Sequence, residues 1–222
     1  LAAAVLGACG DGGGAERASE GGAQAPAERI ELPENPHGFP VPDPGDLDMD
    51  VPEGWSPVPL PSLGVGLAIP RTWEAALLTD EGLARIEEFS RNPGFVDAAR
   101  NARASGALLY GAGMDAEGRV SDLKLSRLEV SLEAAEEAAA AAAPPGAVLD
   151  RPEGTEHPTV RVRFRVEAPG YGGGEPVVAE GTQWLVQGPT LVWSVVVTSE
   201  DAAAHDELAS SVLGSLTFSS GS

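Results

Sequence analysis

Apolar and polar positions alternate most strictly over residues 159–166. Val160, Val162, Phe164 and Val166 fall on one side, Arg161, Arg163 and Arg165 on the other. A period of two is that of a strand with one buried face. After a Gly-rich loop over 169–174, residues 177–187 form a returning strand, Gly188-Pro189 a turn, and 191–198 a third strand, so this region is a meander. Upstream, residues 55–60 and 64–69 are short strands joined across Pro61-Ser62, the second ending at Pro70, which cannot donate to a ladder. Residues 107–114 and 120–130 are two more strands with a turn at 115–118, and 147–150 forms a further short one.

The pattern lengthens to helical spacing at four places. Thr79 caps a helix that has Asp80 and Glu81 in its first turn and Leu83, Ile86 and Phe89 along one face. Asn92 with Pro93 at the first helical position starts a second, through about Ala104. Ser131 caps an alanine-rich third over 132–143, stopped by Pro144-Pro145-Gly146. Ser199 caps the last, with Glu200 and Asp201 in its first turn, Leu208 and Val212 toward the sheet, and Gly214 at its end. Residues 216–218 close the chain.

These features resemble one known family. The strand ending Ile69-Pro70-Arg71-Thr72-Trp73, the hairpin from Gly181-Thr182-Gln183-Trp184 to Leu191-Val192-Trp193, the acidic turn at Glu200 and the closing Gly214-Ser215-Leu216-Thr217-Phe218 are together similar to the PsbP-like superfamily, including actinobacterial lipoproteins of the LpqN type. Thr72 stands where the family usually has glycine, and the two helices after Trp73 are an insertion. The resemblance covers about residues 55–219. It implies an α+β domain with a single antiparallel β-sheet flanked by helices on both faces, an extracytoplasmic placement, and a binding or accessory role without a shared catalytic site.

Composition alters the picture mainly ahead of Trp55. Residues 10–54 hold 11 acidic and two basic residues, with repeated prolines and no sustained apolar period. Such a stretch cannot bury enough apolar surface to offset its ordering entropy, so it is expected to be a disordered tether. As a coil it would span roughly 35–40 Å. Before it, Leu6-Gly7-Ala8-Cys9 ends an apolar Ala/Val/Leu run and resembles a bacterial lipobox. With no Met or basic segment ahead of Leu1, residues 1–8 are expected to be a signal-peptide remnant. Residues 9–54 would then be a lipid-anchored linker and 55–219 the domain. The resemblance implies a diacylglycerol on the Cys9 thiol and a place on the outer face of the plasma membrane; at about 0.8 kcal/mol per buried methylene, two or more acyl chains anchor stably.

The formal net charge of −20 repels phosphate backbones and anionic headgroups, which argues against nucleic acid as a partner. One cysteine permits neither an intramolecular disulfide nor a Cys-based metal site. The alternating Asp46, Asp48 and Asp50 lack the glycine and glutamate of a calcium loop, since Val51 and Pro57 occupy those positions. His37, His157 and His205 fall in the tether, a loop and a surface helix without metal-pair spacing, and no serine sits in a nucleophile elbow. No metal, cofactor or catalytic residue is therefore assigned. Trp55, Trp73, Trp184 and Trp193 are expected in the core, each indole N–H with a partner. Arg161, Arg163 and Arg165 remain the candidate site. They concentrate three of 14 basic residues on one strand face, either balanced by carboxylates such as Glu180 or open to an anion or acidic partner. The expected role is an extracytoplasmic binding or accessory protein; the alternative is a small-ligand carrier or hydrolase using a cleft between the sheet and the inserted helices.

Overall fold

The computed structural model describes residues 47, 49–90, 93–170 and 174–219. The first half contains β1 (Trp55–Leu60), β2 (Val65–Pro70), β3 (Glu74–Leu77), α1 (Asp80–Phe89), α2 (Pro93–Ala104), β4 (Ala107–Met114) and β5 (Val120–Leu128). The second contains α3 (Leu132–Ala142), β6 (Val148–Asp150), β7 (Thr159–Gly170), β8 (Gly174–Gln187), β9 (Val192–Ser199), α4 (His205–Gly214) and β10 (Thr217–Phe218). The class is α+β and every strand pairing is antiparallel.

The strands divide between two sheets where one was expected. Seven run in the order β3-β4-β5-β9-β8-β7-β6, and three in the order β1-β2-β10. The reason lies in β2, whose residues from Val65 to Ile69 are buried on both faces. Val65, Leu67 and Ile69 meet Leu123, Leu125, Trp184, Val195 and Val197 of the large sheet face to face, in a core completed by Ala209 and Val212 of α4. On the other face Gly66 is covered by Leu47 and Met49: a Cβ there would lie 2.9 Å from the Met49 sulfur and 3.2 Å from Leu47 Cδ1. Contact with the domain therefore begins ahead of Trp55, inside the stretch expected to be tether.

Helices cover both faces of the large sheet, as expected. The small sheet and α4 take one; α1, α2 and α3 take the other. Leu83 and Ile86 of α1 and Phe95, Ala99 and Ala102 of α2 pack on Ala76 and Tyr110 at the β3–β4 end. Leu132 and Ala135 of α3 pack on Val160, Leu185 and Val192 toward the β7 end. The caps form as the side chains dictate: the Thr79 and Ser131 hydroxyls accept from Gly82 N–H and Ala134 N–H.

Several expectations need correction. The four-residue β3 was not foreseen. The last helix starts at His205, not after Ser199, because Ser199 stays on β9, paired with Ser121 and Glu180, with its hydroxyl accepting from Asp201 N–H. Asp201 then accepts from Ala203 and Ala204 N–H and so serves the turn that leads into α4, while the Glu200 carboxylate accepts from Val120 N–H. The strands on either side of residues 169–174 extend to Gly170 and Gly174. Cys9, His37, Asp46, Asp48, the Asn92 cap, the Phe89 side chain and most of the expected tether lie outside the described residues.

Candidate functional site

The arginine row lies on the α4 face of the large sheet, at its β6 edge. Register places Arg161 opposite Trp184, Arg163 opposite Thr182 and Arg165 opposite Glu180, while Asp150 of β6 flanks Arg161 on the other side. Arg161 forks onto Asp150, Nε to Oδ1 at 2.8 Å and an Nη to Oδ2 at 2.6 Å, and its guanidinium lies 5.5 Å from the centre of the Trp184 ring. Bidentate pairing and ring contact together fix its orientation. Arg161 holds the Asp150 carboxyl below its usual range through hydrogen bonding and charge, and Asp150 raises the Arg161 guanidinium in turn.

The other two arginines are progressively more exposed. Arg163 reaches Asp150 only at 3.7 Å and its side chain is 48% exposed; Arg165 holds Glu180 at 2.6 Å through one nitrogen and is 75% exposed. Balance by carboxylates across the ladder therefore describes Arg161 and Arg165 well and Arg163 weakly. Exposed pairs of this kind are worth about 0–1 kcal/mol, so they orient the row without contributing much to stability.

Beside the row, the start of α4 presses His205 onto the sheet. Its exposure is 4%, which corrects its expected surface position, and its Nε2 shares a 2.9 Å hydrogen bond with the Thr182 hydroxyl. Burial lowers the His205 pKa, opposed by the charges of Asp206 and Glu180. His205 Nδ1 and the buried Trp184 Nε1 find no hydrogen-bond partner among the described residues, so the expectation of a partner for each indole N–H fails at Trp184. The tryptophans are otherwise core: Trp73, Trp184 and Trp193 are buried, and the half-buried Trp55 packs against them.

The opposite face carries features that sequence reasoning missed. Asp122 accepts from the Thr198 hydroxyl at 2.5 Å and from Tyr110 Oη at 3.4 Å, with Lys124 Nζ 3.9 Å away. Tyr110 also lines an open groove of about 300 Å³ between α2 and the β3–β4 end, with Glu74, Phe95, Ala98, Ala112 and Met114. Alternating exposure on β5 could have pointed to Asp122 and Lys124; nothing local pointed to Thr198, 76 residues away. His157 sits in the β6–β7 loop as expected, its ring edge-on to Phe218 at 4.9 Å. Among the described residues no cluster of three metal-binding side chains occurs and no helix is long and apolar enough to cross a membrane.

These features define a class: an antiparallel α+β domain of two facing sheets, with a charged row at one edge and a shallow groove on the other face. No family model matches the chain and no curated protein matches it. Among solved structures the chain is similar to cyanobacterial PsbP (CyanoP) from Synechocystis sp. PCC 6803, at 10% identity and a TM-score of 0.41, over 74% of this chain and 92% of that one. It is also similar to LpqN of Mycobacterium tuberculosis, described as involved in cell envelope biogenesis, at 10% identity and a TM-score of 0.35, over 78% of this chain and 83% of that one. Both are of the kinds that the sequence motifs resemble, and at these scores neither carries an argument about function.

Proposed function

We propose that the chain is an extracytoplasmic, lipid-anchored binding or accessory protein that uses Arg161, Arg163 and Arg165 to meet an anionic ligand or acidic partner. The observation that supports this most is the row itself: in a chain of net charge −20, three guanidinium groups share one strand face and two keep most of their donors toward solvent. Asp150 and Glu180 hold the row extended, and guanidinium forks suit carboxylates and phosphates. Anchoring rests on Leu6-Gly7-Ala8-Cys9 and the acidic stretch behind it.

Two experiments test this reading. Titration with inorganic phosphate and with poly-glutamate should show salt-sensitive binding that Arg163→Gln/Arg165→Gln weakens at least about tenfold while the fold stands, since exposed charge changes cost about 0.5 kcal/mol or less. Arg161 is left intact because its removal would strand Asp150. No binding by the parent, or equal binding by the variant, sinks the proposal. Expressed from a precursor with its full signal sequence, the parent should enter the lipid phase in detergent partitioning and Cys9→Ala should leave it.

A second reading, a small-ligand carrier, is favoured by the groove between α2 and the sheet. Ligand mass spectrometry on the purified protein tests it, with Ala98→Trp filling the groove as the control.

A further inference from the structure

We propose that the free outer edge of β7, from Phe164 to Ala168, pairs with the same edge of a second copy about a two-fold axis at Val166. β7 and β8 pair from Thr159 to Gly170, but their neighbours are shorter. β6 covers β7 only at Arg161, Val162 and Arg163, and β9 reaches along β8 only as far as Glu180. The β7–β8 ribbon therefore runs beyond the sheet, and among the described residues no strand neighbours the outer edge of β7 from Phe164 onward. Such an edge is a template for another strand.

The side chains select the occupant and the register. In an antiparallel two-fold pair centred on Val166, Arg165 stands opposite Glu167 of the second copy and Glu167 opposite its Arg165. Phe164 stands opposite Ala168, and Val166 opposite Val166. Opposite charges directly across a ladder attract and like charges repel. Shifting the axis by one residue either way sets Glu167 against Glu167 or Arg165 against Arg165, so only the Val166 register pairs both charges. Pro169 has no N–H to donate and closes the ladder at one end, while β6, which ends opposite Arg163, closes it at the other. The five positions left are about the length of an ordinary strand. The interface is isologous and closes on itself. It sets two arginine rows end to end on one face of a continuous sheet.

This pairing does not depend on the anion-binding reading, and the two can be separated. Sedimentation equilibrium of the full chain at about 0.15 M salt should show a monomer–dimer equilibrium. Glu167→Arg and Arg165→Glu each place like charges across the axis twice and should weaken it about tenfold. The double exchange Arg165→Glu/Glu167→Arg restores opposite charges and should recover the parental dimer. Arg163→Gln should leave self-association unchanged while reducing phosphate binding. Because Arg165→Glu also loses its Glu180 contact, circular dichroism checks each fold and Glu167→Arg stands as the independent single variant. A parent that stays monomeric at high concentration, a Glu167→Arg that dimerises as the parent does, or a double exchange no better than the singles would each overturn the proposal.

Discussion

The contact of Leu47 and Met49 with Gly66 leads to the most direct stability test. Both side chains are half-buried on the outer face of β2, where glycine leaves room for them. Replacing both with Ser keeps the chain length and removes the apolar contact. Full burial of such a side chain contributes about 1.5–3 kcal/mol; half-burial of two gives about 1.5–3 kcal/mol together. For a domain of this size each kcal/mol shifts Tm by about 2–4 °C, so the variant should melt about 3–12 °C lower. A chain trimmed to start at Trp55 should lose at least as much. Differential scanning calorimetry of parent, double variant and trimmed chain measures it, with proteolysis locating where cleavage stops. If all three melt together, residues 47–49 rest on the domain without stabilising it, and the folded unit starts at Trp55.

Three further outcomes follow from buried groups. Burial lowers the pKa of His205 in the folded protein, whereas the unfolded chain takes up a proton near pH 6.5. Its contribution to stability is therefore complete above about pH 6.5 and declines as pH falls toward the depressed folded pKa, by at most about 1.4 kcal/mol per pH unit; urea midpoints of parent and His205→Gln should show this slope in the parent only. Gly113→Ala should be strongly destabilising, by about 2–3 kcal/mol, because the new Cβ would lie 2.1 Å from Cδ1 of the buried Trp73. Gly181→Ala meets Phe164 at the same 2.1 Å, but that ring is half-buried near the sheet edge and can swing aside, so its Tm should fall by less than half as much.

What could be foreseen from sequence was what depends on neighbours along the chain. The alternation on β7, the caps at Thr79 and Ser131 and the Pro-Pro-Gly stop after α3 are local signals, and each of these elements starts where expected, although β7 runs on to Gly170. Glu180 was legible as a partner of Arg165 because the hairpin sets its register. Asp150 was not, since residues 147–150 could be recognised as a strand but not as the strand beside Arg161. β3 escaped because Glu-Ala-Ala-Leu is too short and too rich in alanine to favour strand over helix. His205 was misplaced for a similar reason: its burial depends on where α4 lands on Thr182, 23 residues earlier.

The small sheet ties the beginning of the domain to its end. β2 is flanked on one side by β1 and on the other by Thr217 and Phe218, and Ala68 N–H donates to the Ser215 hydroxyl across 147 residues of sequence. A chain emerging from its amino end can form the β1–β2 hairpin at once, yet β2 keeps a bare edge until Thr217 and Phe218 have arrived. Completion of the domain is thus written into the fold itself. A product cut short before Ser215 would carry an unsealed strand beside the core, marked for a protease or a chaperone by its own geometry.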